Sequence, residues 1–131
     1  EEKEEIFEAT WRYEQPITYE FNIDDTEAKY NLYLDVIHSD QFASQNFYTM
    51  IHTTYPSGRK VDSQISIELA DKLGQWYGKC SGEECQLRVV LQQQTFFKEK
   101  GIHKIVFEQY TRQEALTGIK ALAFSVETVE Q

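Results

Sequence analysis

Between Val61 and Leu69 the chain reads VDSQISIEL, and its side chains sort into two sets with a period of two. Val61, Ser63, Ile65, Ile67 and Leu69 fall on one side of a pleated strand. Asp62, Gln64, Ser66 and Glu68 fall on the other. On a helix these residues would be scattered around the axis, so the segment is a strand with one face toward a core.

The same period recurs along most of the sequence. PITYEFNI places Ile17, Tyr19, Phe21 and Ile23 on one face. KYNLYLDVIHS places Tyr30, Leu32, Leu34 and Val36 on one face and Tyr33 and Ile37 on the other. QNFYTMIHTTY sets Phe47, Thr49, Ile51, Thr53 and Tyr55 against Tyr48, Met50 and His52. Pro56, Ser57 and Gly58 then stand in the order that a tight turn prefers, so this strand and VDSQISIEL read as a hairpin. Leu87, Val89 and Leu91 share a face further on. In GIHKIVFEQY, Ile105 and Phe107 share one face, with Ile102, Val106 and Tyr110 on the other. Leu122, Phe124 and Val126 alternate near the end. Helical patterning is confined to ELADKLGQ and RQEALTG, each long enough for one turn ended by a glycine, Gly74 or Gly118.

Seven or eight short, one-sided strands separated by turn residues predict an all-β fold. An antiparallel β-sandwich with jelly-roll-like connections and about eight strands suits them better than a barrel, because two stacked sheets bury one face of each strand. The 131 residues are enough for one domain. Residues 1–9, EEKEEIFEA, read as an acidic solvated linker, and residues 10–131 as the sandwich.

A net charge of −9 lacks the basic footprint that nucleic acid or an anionic membrane surface requires. No apolar run approaches the roughly 20 residues of a membrane-spanning helix. No phosphate loop, nucleophile elbow or HExxH motif is present. The histidines, His38, His52 and His103, each lie in a strand-like run, and nothing in their spacing forces them together as metal ligands. Asp24 and Asp25 follow a strand and suit a turn. The reading is therefore of a non-enzymatic chain, with no catalytic residue, cofactor or metal ligand to nominate.

Trp11, Trp76 and Tyr77 admit two roles. At the edge of a sandwich they offer flat faces on which sugar rings stack. As packing residues, Trp11 covers one end of the core and Trp76 anchors the loop before the cysteines. The two cysteines, Cys80 and Cys85, flank Ser-Gly-Glu-Glu. One pair is too few for a zinc ribbon, and the spacing is not that of a thioredoxin-like site. A cross-link over this short loop and a pair of reduced thiols both remain open, and the compartment decides between them.

The order of landmarks from Trp11 onward resembles the GldH family of gliding-motility lipoproteins from Bacteroidetes. The residues carrying the resemblance are Trp11 with PITYEFNI, then YNLYLDVIHSDQFASQNFYTMI, PSGRKVDSQISIELAD, GQWYGK and FEQYTRQEALTGIKALAFSVE. The resemblance implies export, a removed signal peptide and attachment to the cell envelope through an N-terminal lipid anchor. It also implies association with other gliding or type IX secretion proteins, through protein–protein binding. A carbohydrate-binding envelope module is the alternative. Family members usually carry a glycine-rich, cysteine-free segment where this chain has KCSGEEC. In an exported protein, Cys80 and Cys85 are then expected to form a disulfide.

Overall fold

The computed structural model describes residues 2–5 and 10–129. The strands, in chain order, are β1 (Glu2–Glu5), β2 (Thr10–Arg12), β3 (Ile17–Ile23), β4 (Tyr30–Ser39), β5 (Asn46–Thr54), β6 (Lys60–Glu68), β7 (Lys79–Ser81), β8 (Glu84–Thr95), β9 (Gly101–Gln109), β10 (Ala115–Thr117) and β11 (Ile119–Thr128). No helix occurs among the described residues. One sheet runs β1-β11-β4-β8-β7 and the other β3-β9-β5-β6, while β10 and β2 form a short ribbon. Every pairing is antiparallel. The fold is the expected all-β, sandwich-like arrangement. Its long strands match the expected number, and the short β1, β2, β7 and β10 add to them.

The buried sides follow the period-two sets. Ile17, Tyr19 and Ile23 of β3, Phe47, Thr49 and Ile51 of β5, and Ile105 and Phe107 of β9 face inward from the four-stranded sheet. Leu32, Leu34 and Val36 of β4 meet them with Leu122 and Phe124 of β11. Aromatic contacts join the layers, with ring centroids 5.6 Å apart for Tyr19–Phe124 and 5.9 Å for Phe107–Phe124. The Tyr19 hydroxyl satisfies itself inside this apolar layer by donating to Leu122 O at 2.9 Å.

The β5–β6 hairpin has the expected partners, with Thr54 opposite Lys60 and Asn46 opposite Glu68. Both expected helical turns are something else. Ala115–Thr117 of RQEALTG is a strand paired with Thr10–Arg12. In ELADKLGQ the Asp71 carboxylate accepts from Leu73 N and Gln75 N, each at 2.9 Å, and makes a side-chain-capped turn closed by Gly74 at positive φ. Glu2–Glu5, within the stretch read as a linker, pairs with β11 from Phe124 to Ala121, while residues 6–9 lie outside the described residues.

The two sheets do not close equally on both sides. β6 is the edge of its sheet, and its inward side chains become more exposed toward the start of the strand. Ile67 is fully buried, Ile65 half-buried, and Val61 is 40% exposed. On the opposing sheet β7 covers β8 only from Glu84 to Gln86. Beyond Gln86 the outer edge of β8 has no partner strand among the described residues, and its inward Leu87, Val89 and Leu91 are half-buried.

Candidate functional site

The two unpaired edges lie on one side of the sandwich because the chain crosses directly between them. After β6, Ala70 bridges to Trp76, and Tyr77 N donates to Leu69 O at 2.9 Å. Gly78 then passes so close to β8 that a Cβ there would sit 2.4 Å from Gln86 O. Only glycine fits this approach. The crossing closes one end of the side. Toward Val61 and Leu91 the side stays open, with apolar residues along two free hydrogen-bonding edges.

Cys80 and Cys85 follow this crossing directly. They are paired directly opposite each other in the β7–β8 hairpin and form a disulfide. The hairpin loop is Gly82-Glu83, with Gly82 at φ +64°, the first-position glycine that suits a two-residue turn. Cys85 is buried and Cys80 exposed, so the bond ties an edge strand to the core sheet.

The three aromatics singled out in the sequence are not brought together as one platform. Trp11 is fully buried, its ring edge-on to Phe47 at 6.1 Å, and its Nε1 donates to Gln15 O at 2.8 Å. Trp76 is half-buried in the crossing, with its ring 4.7 Å from His38. Tyr77, the next residue, is exposed.

The histidines are separate too. His38 and His103 are fully buried, and burial lowers both pKa values, so both rings are neutral at pH 7. Nδ1 of His38 donates to Ser39 O, and Nδ1 of His103 to Gly101 O. His103 also stacks on Phe21 at 5.1 Å. His52 differs. Its two nitrogens lie 2.9 Å from Glu108 Oε1 and 2.7 Å from Asp62 Oδ1, and these carboxylates raise its pKa. When the ring is protonated both nitrogens donate, and no lone pair is left for a metal. Asp24 and Asp25 occupy the turn after β3, where Asp25 caps Glu27 N.

A feature missed by sequence reasoning is an open cleft of about 910 Å³ above the outer face of the four-stranded sheet. Tyr13, Tyr48 and Tyr110 stand around it, 41%, 45% and 47% exposed. The alternation separates Tyr48 from the face of Phe47 and Thr49, and Tyr110 from the face of Ile105 and Phe107. What it lacked was the β5–β9 pairing, which sets these two strands side by side.

Comparison with known proteins adds the family. A solved arabinose-bound α-L-arabinofuranosidase aligns with 87% of this chain at 13% identity and a TM-score of 0.43, and the chain spans 17% of it. An infectious bursal disease virus structure aligns with 91% at 12% identity and a TM-score of 0.30, the chain spanning 27% of it. A gliding motility lipoprotein GldH homolog from Christiangramia forsetii is 22% identical over 135 residues, which cover 97% of this chain and 82% of that protein. The model of the GldH lipoprotein family matches residues 1–126, and the chain belongs to that family.

Proposed function

We propose that the protein is a non-enzymatic, lipid-anchored component of the cell envelope that works by binding other gliding-motility or type IX secretion proteins. The observation that carries this reading is the open side between β6 and β8. Two strand edges with unused backbone groups flank half-buried Ile65, Leu87, Val89 and Leu91. An exposed edge of this kind is a template for another strand. The occupant it suits is an extended partner segment with apolar residues at every second position, which adds main-chain hydrogen bonds while its side chains complete the core. A lipid anchor would hold the domain at high local concentration near such partners.

The test uses the full lipidated protein in a gliding host that lacks its own copy. A photo-crosslinking residue at Val89 should link to a gliding or secretion lipoprotein. Leu91→Lys should abolish both the cross-link and spreading without loss of fold. A version with serine at the acylated cysteine should also fail to restore spreading. Full rescue by Leu91→Lys would refute the open side as the interface, and full rescue by the unlipidated protein would refute the tether.

A further inference from the structure

The cleft bounded by Tyr13, Tyr48 and Tyr110 is unrelated to the open side. Tyr48 lies on β5 and Tyr110 directly follows β9, beside a saturated part of the sheet. Tyr110 N donates to Tyr48 O at 3.1 Å, and the register from Thr49–Gln109 places the two tyrosines opposite each other. β5 has β9 on one side and β6 on the other, so no backbone edge is free here for an added peptide strand. Phe47 and Leu116, both buried, also line the cleft. The polar residues around it include Asn46, Gln64, Glu108 and Arg112.

The far wall is built to hold its shape. Gln109 is buried, and its amide makes four bonds to the chain around it. Its Oε1 accepts from Thr111 N at 2.6 Å and Thr111 Oγ1 at 2.7 Å. Its Nε2 donates to Trp11 O at 3.3 Å and to Gln113 O. The Tyr13 hydroxyl donates to Thr111 O, and Tyr13 N to Glu114 O at 3.1 Å. A loop satisfied this fully from beneath stays in place, and preorganisation of that kind favours binding. On the other side Glu108 is held by His52. The hydroxyls of Tyr48 and Tyr110 and the guanidinium of Arg112 have no hydrogen-bond partner or ion pair among the described residues.

We propose that this cleft binds a neutral oligosaccharide, stacked on the tyrosine rings and hydrogen-bonded by Asn46, Gln64, Glu108 and Arg112. The C–H face of a pyranose is flat and weakly positive, and it matches the negative face of an aromatic ring. Amide, carboxylate and guanidinium groups have the paired donors and acceptors that vicinal hydroxyls need. The cleft is shallow and mixed in polarity, unlike the enclosed apolar pocket of a drug-sized ligand. The net charge of −9 disfavours an acidic polymer.

The experiment is calorimetric titration of the intact protein with gluco-, manno-, xylo- and N-acetylgluco-oligosaccharides of six units. At least one should bind. Tyr48→Ala and Tyr110→Ala should each weaken it by roughly tenfold, as loss of a stacking surface requires. Phe96→Ala, an exposed ring outside the cleft, should leave it unchanged. Should a tyrosine variant fold poorly, the exposed Arg112→Ala and Gln64→Ala give the same reading. Absence of binding across the panel overturns the proposal, as does binding unaffected by Tyr48→Ala with Tyr110→Ala.

Discussion

His52 and Asp62 stand directly opposite each other across the β5–β6 hairpin, with Nδ1 2.7 Å from the carboxylate, while Glu108 from β9 takes the other nitrogen. The ring thus ties three strands together when it is charged. Its folded pKa lies above its unfolded value, so the stabilisation is fully present below the unfolded pKa and is lost as pH rises through the folded one. His52→Gln should therefore lower the melting temperature most between pH 5 and 6, and the gap to the parent should narrow toward pH 8. The site is exposed enough for solvent to screen it, so the effect should be modest. A gap that widens with pH would contradict the assignment.

His38 and His103 work in the opposite direction. Burial puts their folded pKa values below the unfolded value. The unfolded chain then binds protons first, and stability falls as pH drops from the unfolded pKa through the folded ones. Proton NMR titration should show two imidazole signals with midpoints below the ordinary histidine range and one, from His52, above it. A common midpoint for all three would refute the opposed environments.

Cys80 and Cys85 should resist alkylation until reduced, and reduction should add about two hydrogens to the intact mass. The closed loop is short, so Cys80→Ser should cost about 2 kcal/mol and leave the fold intact. Reactive thiols in protein made under oxidising conditions would contradict the pairing.

Trp11→Ala removes a fully buried ring and should cost about 3–5 kcal/mol in chemical denaturation. Trp76→Ala should cost less, because Trp76 is only half-buried in the crossing. The reverse order would mean that the crossing, and not the end of the core, dominates stability.

Gly78→Ala tests the crossing more directly. The new methyl group would collide with the Gln86 carbonyl, so the variant should loosen Trp76 and Tyr77 and lower the melting temperature. An unchanged melting temperature would show that this backbone approach can relax.

Strand faces were legible in the sequence because each is set by a period of two within a few residues. Ile17, Tyr19 and Ile23 are inward as the alternation requires, and the turn at Pro56–Gly58 set the hairpin. Ala115–Thr117 was not legible. Its partner is Thr10–Arg12, a hundred residues away, and local pattern says nothing about so distant a neighbour. The tyrosine cleft was hidden for the same reason: Tyr13, Tyr48 and Tyr110 come from three separate parts of the chain. The disulfide needed the family's export as a premise, since spacing alone left two thiols possible. The open side at β6 was invisible because alternation tells which way Val61 points, not whether anything lies opposite.

The position of β11 sets the order in which the molecule can assemble. Among the described residues Ile119–Thr128 is the last strand in chain order, yet it lies inside its sheet, with Glu2–Glu5 on one flank and Tyr30–Ser39 on the other. Until residue 128 has left the ribosome, the five-stranded sheet lacks an interior strand and Tyr19 has no Leu122 carbonyl to meet. Contacts this far apart in the chain form slowly, in roughly milliseconds to seconds. A nascent chain of this design cannot complete its five-stranded sheet before β11 has been made.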